Sequence, residues 1–306
     1  MSRLMRALPA IGFAAAVVIA AAMLGCAGAV AKVSRLPADV QATYDRQPLL
    51  LDRALAELQP DATARPQLYF VGFAGFGGQA VFKREVLAVR ALFEQRFGTK
   101  GRSLALINHK STLAEIPLAS VANLERALRH VGNTMDRDRD TLFLFLTSHG
   151  NKGVLAVDMP RFGLKQITPD ALKAMLDRAG IKNRIIVVSA CHSGSFIPAL
   201  AGPTTLVIAA ARADRTSFGC EDRRRWTYFG DAYFNRALRQ EGSWTAAFAR
   251  AKRQISLWER TEGLVPSLPQ IAGGEALPIT DWTGGAATDR SATPLSTPLA
   301  RPGQVR

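Results

Sequence analysis

Two hydrophobic periodicities alternate along this chain, and that alternation limits its fold more than any other feature. Uninterrupted apolar runs occur at residues 68–73, 104–107, 141–147, 184–189 and 206–211, each short, rich in β-branched or aromatic residues, and closed by turn residues. Runs with no polar alternation belong to strands covered on both faces, as in a parallel sheet. Helical patterns lie between them at residues 83–97, 120–135 and 169–179, the last opened by Thr168 as N-cap and Pro169 at the first helical position. Residues 226–260 add two more helices, and Leu49, Leu50, Leu51, Leu55 and Leu58 approach a helical stripe before the first strand. Strand–helix alternation of this kind predicts a doubly wound α/β sandwich with right-handed crossovers, whose functional residues lie at the carboxyl ends of the strands.

Composition removes other classes. The chain has 306 residues, 48% apolar and 21% charged, which gives it ample material for a core and excludes collagen or a wholly disordered chain. Three cysteines are too few for a disulfide framework, and with four histidines they show no C-x-x-C or H-x-x-x-H spacing, so neither a structural metal nor a cofactor is expected. The net charge of +14 is scattered: Arg223, Arg224 and Arg225 sit beside Glu221 and Asp222, and residues 136–140 alternate in sign. A nucleic-acid partner is not expected from such a distribution. The glycine-rich stretch 72–78 lacks the G-x-G-x-x-G spacing, and residues 108–110 put Asn, His and Lys at the second strand end where a dinucleotide site needs an acid.

The ends divide the chain further. Arg3 and Arg6 precede an uncharged run through Gly25, the pattern of an export signal or membrane anchor over residues 1–29. Met23-Leu24-Gly25-Cys26 resembles a bacterial lipobox, which makes Cys26 a candidate lipidation site. A cleaved signal and a retained anchor are the other readings. Either anchored form expects attachment to the periplasmic face of a bacterial membrane; cleavage without lipidation expects secretion. Residues 30–60 read as a helical lead-in, 61–282 as one catalytic domain, and 283–306, with Pro294, Pro298 and Pro302, as a disordered low-complexity tail.

Reactive groups sit at two strand ends. The third run finishes in Ser148-His149-Gly150, and the fourth in Ala190-Cys191-His192-Ser193-Gly194-Ser195. Neighbouring parallel strands bring such ends together, and an imidazole beside a thiol supplies what the thiol lacks, since only the thiolate is strongly nucleophilic. The N–H groups of Gly150 and Cys191 are the expected oxyanion donors. Neither Ser193 nor Ser195 lies in a G-x-S-x-G elbow. His109 and His130 read as structural, and Cys220 as a free thiol near the pocket.

At these residues the sequence resembles the legumain-type cysteine peptidases, whose caspase-hemoglobinase fold is a three-layer α/β/α sandwich with a mainly parallel central sheet. The resemblance rests on an apolar strand ending in His149-Gly150 with Gly153-Val154-Leu155 beyond it, and a second strand ending in Ala190-Cys191-x-Ser193-Gly194-Ser195. Ser217-Phe218-Gly219-Cys220 and Thr227-Tyr228-Phe229-Gly230-Asp231 follow in the same order. It implies Cys191 as nucleophile, His149 as general acid/base, peptide or protein substrates, and a pocket drawing on His192, Ser193, Ser217, Phe218 and Asp231. Ser148 and His192 stand where legumains usually carry acids, so the resemblance leaves asparaginyl specificity open. No third catalytic member is assigned. A catalytically silent caspase-like peptide- or partner-binding domain and a transpeptidase using the same thioester are the alternative functions.

Overall fold

The computed structural model describes residues 36–60 and 65–278. The leader with Cys26 and the tail at 283–306 lie outside the described residues. Along the described chain run α1 (Ala38–Ala56), β1 (Leu68–Ala74), α2 (Ala80–Arg96), β2 (Ser103–Ile107), α3 (Val121–Thr134), β3 (Thr141–Thr147), β4 (Gly150–Asn151) and β5 (Val154–Leu155). They are followed by α4 (Pro169–Arg178), β6 (Asn183–Ser189), a 3-10 turn Ser193–Phe196, α5 (Ile197–Leu200) and β7 (Thr205–Ala209). The last elements are α6 (Tyr228–Gly230), which runs into a π-helical segment Asp231–Ala237, then α7 (Trp244–Thr261) and β8 (Gln270–Ala272).

Six strands form one sheet in the order β2-β1-β3-β6-β7-β8, parallel except for β8, which pairs antiparallel with β7. The alternation of side chains along each strand divides them between two cores. Tyr69, Val71, Leu142, Leu144 and Ile186 face α1, α3 and α4, whereas Phe70, Phe143, Phe145 and Val187 face α2, the π-helical segment and α7. β1 and β3 are buried at every residue, which explains why their runs carry no polar alternation. The fold is therefore an α/β/α sandwich with a mainly parallel sheet, as expected.

Local differences have local causes. Helix α2 begins at Ala80, three residues before the expected start at residue 83, where Asp222 reaches across and its Oδ1 accepts the Ala80 N–H at 2.6 Å. Thr168 and Ser120 cap α4 and α3 by accepting the N–H groups of Ala171 and Asn123. The fifth run leaves the ladder at Ala209, since the Ala211 carbonyl turns to accept the Gly194 N–H at 2.8 Å. Leu49 is 52% exposed and drops out of the leucine stripe, while Leu51, Leu55 and Leu58 enter the core. The short hairpin β4–β5 and the edge strand β8 have no counterpart in the expected elements, because neither is long enough to register a periodicity.

Candidate active site

The register between β3 and β6 places the reactive groups. Thr147 stands opposite Ser189 as the last pair of the ladder. His149 and Cys191 each follow two residues later, with Ser148 N–H still donating to the Ser189 carbonyl at 3.2 Å. The two strand ends thus rise side by side at the carboxyl edge.

Beyond Cys191 the chain turns sharply. His192 takes a left-handed conformation (φ 57°), which costs a non-glycine residue about 1 kcal/mol, and the 3-10 turn Ser193–Phe196 follows at once. The turn is fixed by the His192 N–H on the Arg215 carbonyl at 2.8 Å and by the His192 Nδ1–H on the Ala213 carbonyl at 3.1 Å. The segment after β7 is thereby held against the cysteine. Its Ser217 N–H donates to Cys191 Sγ at 3.3 Å, and Ser217 O and Oγ lie 3.6 and 3.7 Å from the sulfur. Among the described residues no acceptor takes up the Cys191 N–H itself.

On the neighbouring strand end, the His149 ring lies between Phe76 and Phe82, with ring centroids 4.6 and 5.2 Å away in edge-on arrangements. This apolar burial lowers the pKa of His149 from its ordinary value and favours the neutral imidazole. Its Nε2–H donates to Gln79 Oε1 at 2.6 Å, which leaves Nδ1 as the basic nitrogen. Gln79 is the N-cap residue of α2 yet makes no cap bond with its side chain, because that side chain is spent on His149 and Asp222 caps the helix instead. No hydrogen bond joins His149 to Cys191 among the described residues; each is positioned by its own partner.

Gly150 is required by close approach to the cysteine. A Cβ there would stand 2.5 Å from the Cys191 carbonyl oxygen and 3.0 Å from Ala190 Cβ, so the glycine lets the β4–β5 hairpin pack against the cysteine's own backbone.

The expected pocket residues divide. Ser217 touches the sulfur. Phe218 packs its ring on Tyr228 at 6.1 Å and accepts the Tyr228 N–H on its carbonyl. Asp231 accepts from Asn235 Nδ2 at 2.7 Å and Arg236 Nε at 3.2 Å. Ser193 is buried, and its hydroxyl exchanges hydrogen bonds with the Ala211 backbone, so the structure places it in the framework beneath the turn. Cys220 is a free thiol, and burial, assisted by the nearby Cys191 and Glu85, pushes its pKa up to about 12. His109 is structural in its contacts: its Nδ1 accepts the Ser111 N–H at 3.1 Å. Among the described residues, no three His, Cys, Asp or Glu side chains converge as a metal site requires, and no helix is long and apolar enough to cross a membrane.

Two residues of the site escape the reading of the sequence. Gln79 directly follows the glycine-rich stretch, and its signal was positional: it is the first polar side chain after a third strand end at the same edge. Glu85 lies fully buried on α2. Its Oε2 accepts from Thr147 Oγ1 at 2.6 Å, and its Oε1 accepts from Thr227 N and Oγ1 at 3.1 and 2.7 Å.

Residues 125–275 match the model of the Peptidase C13 family. No curated protein matches the chain. Among solved structures, it is similar to caspase-1 from Spodoptera frugiperda at 14% identity and a TM-score of 0.48, over 70% of this chain and 88% of that one. The matched residues 125–275 carry His149 and Cys191, and the family they match is the legumain family of cysteine peptidases.

Proposed function

We propose that the protein is an exported cysteine endopeptidase that hydrolyses peptide bonds through Cys191 and His149 by way of a thioester. The observation that carries this reading is the common register of the two strand ends. His149 and Cys191 stand the same distance past the Thr147–Ser189 pair, each with a dedicated partner in Gln79 or Ser217. In the proposed sequence, neutral His149 accepts the Cys191 thiol proton at Nδ1 as the sulfur attacks the scissile carbonyl. The N–H groups of Cys191 and Gly150 receive the developing oxyanion. His149 then protonates the leaving amine, and water, deprotonated by the same imidazole, hydrolyses the thioester.

Export is part of the proposal on the strength of the leader alone. Mass spectrometry of the mature N-terminus tests it: an acylated Cys26 or a start near Val30 supports export, and a full-length chain recovered from the cytoplasm refutes it.

The chemistry is tested by labelling with a peptidyl thiol electrophile at neutral pH, comparing the native chain with Cys191→Ala and His149→Ala. Loss of label in the first and a large fall in rate in the second support the dyad. Equal labelling with and without His149 refutes it. Labelling without turnover of a peptide library identifies a silent binding domain, and product joined to an added amine identifies a transpeptidase.

A further inference from the structure

We infer that Glu85 is a positioning residue that ties the strand ends carrying His149 and Cys191 to the Ser217–Asp231 segment, which on the peptidase reading forms a wall of the substrate cleft. The inference rests on the peptidase reading for its catalytic meaning but not for its geometry. Three elements converge on one carboxylate. Thr147, the last residue of β3 and two before His149, donates its hydroxyl at 2.6 Å. Thr227, which opens α6 on the far side of the Ser217–Asp231 segment, donates both its N–H and its hydroxyl. The Thr227 hydroxyl lies 3.3 Å from that of Ser189, the last residue of β6 and two before Cys191, and also accepts the Gly230 N–H at 2.9 Å. The pair that ends the β3–β6 ladder is therefore joined to the wall through a single acceptor group. The same helix presents Gln79 to His149, so α2 holds the imidazole at its first turn and the strand ends one and a half turns later.

The contact is too close to be incidental packing. A Cβ on Gly230 would stand 1.8 Å from Glu85 Oε1, so the wall helix can dock on the carboxylate only with glycine at that position. Burial raises the Glu85 carboxyl to about 6, against the hydrogen bonds that favour its ionised form, and the charge of Asp231 adds to the rise. The titratable groups facing it are Asp231 in the π-helical segment and the Cys220 thiol in the wall. Ionised, Glu85 is acceptor-only and takes all three donors; protonated, it carries a hydrogen that one threonine hydroxyl must turn to accept. Proton uptake thus rearranges the brace and slackens the strand ends against the wall.

The test uses the full chain. Amide ¹⁵N–¹H shifts of Thr147, Ser189 and Thr227 are followed between pH 5 and 8, together with the rates at which Cys191 reacts with a peptidyl electrophile and with iodoacetamide. The expectation is one inflection shared by the three amides and abolished by Glu85→Gln. That variant should lose about tenfold or more in the peptidyl rate at pH 7.5, since misplacement of a fraction of an ångström is costly at a reacting centre. Its iodoacetamide rate should stay within about twofold, because a small reagent needs no wall. A peptidyl rate and pH profile unchanged in Glu85→Gln would overturn the inference, as would amides that titrate independently. If Glu85→Gln does not fold, Thr147→Val removes one donor at constant shape: a fall in the peptidyl rate supports the brace, and an unchanged rate overturns it. If the native chain takes no peptidyl label at all, the peptidase reading fails, and the shared amide inflection alone decides for or against the brace.

Discussion

The two cysteines of the described chain lie close enough for the charge of one to act on the other, yet they occupy opposite kinds of region. Cys191 stands at a strand end, with its sulfur receiving the Ser217 N–H and its backbone pressed against Gly150. Cys220 lies in the wall segment and packs on the core formed by α2 and α7, where burial holds its thiol protonated, up to about 12. The difference teaches that the nucleophilicity proposed for Cys191 depends on the carboxyl edge of the sheet. Residue type supplies a sulfur in both places; only Cys191 has the Ser217 N–H directed at its sulfur and a histidine just past the end of the next strand.

The largest expected effect separates the two thiols outright. Cys191→Ala should abolish peptide turnover, a loss of about 10⁴-fold or more, as expected for a nucleophile with no substitute. Cys220→Ala should leave kcat within about twofold. A Cys220 variant that lost activity to the same degree would break the comparison and move the chemistry to the wall. Next in size is reactivity toward iodoacetamide. In the folded chain at pH 7.5, Cys220 should react roughly a thousandfold more slowly than an unperturbed thiol, because its thiolate fraction is reduced by that factor. Intact-mass analysis should show one label before denaturation and further labelling after it.

His149 gives the third effect. His149→Ala should lower turnover by about 10²-fold or more, the usual contribution of a positioned acid/base group. Gln79→Ala should cost roughly tenfold by releasing the imidazole from the tautomer that leaves Nδ1 basic. Because burial depresses the His149 pKa, the neutral base should persist to lower pH than an exposed histidine would allow. Gln79→Ala should not abolish that displacement, which arises from Phe76 and Phe82.

How much of this was legible depended on the range over which each signal acts. The buried strands announced themselves because β1 and β3 are covered at every residue, and the neighbouring positions of His149 and Cys191 because each follows the end of a largely buried strand. The Thr168 cap is a local device and was likewise readable, whereas Ser120, counted as the first helical residue, is the cap of α3. Gln79 was not, because a glutamine after a glycine-rich stretch looks like a solvated loop residue until β1 is known to lie beside β3. Glu85 read as one more charged residue on a helix. Its role depends on Thr147 and Thr227, which are 62 and 142 positions away in sequence. Ser193 was over-read for the opposite reason: its place in the Cys191 motif suggested the cleft, while its hydroxyl is consumed by Ala211.

The smallest effect sharpens the comparison by setting a second buried acid beside Cys220. Burial raises both groups, but the thiol stays neutral at pH 7 while Glu85, raised from 4.5 to about 6, is forced to ionise. A raised folded-state value means that the native state holds its proton more tightly than the unfolded chain does. The resulting stabilisation is complete below pH 4.5 and is lost as pH rises through about 6. A displacement of this size corresponds to about 2 kcal/mol. The stability of the native chain relative to Glu85→Gln, from urea unfolding, should therefore fall by about that amount between pH 4.5 and 7.5. Cys220→Ala should show no such pH dependence over the same interval, because its thiol is protonated in both states there. A flat difference for Glu85→Gln would mean that the carboxylate is not desolvated as its position implies. A fall of the expected size would mean that the fold tolerates a destabilising charge beneath the strand ends, where hydrogen-bond acceptors are needed.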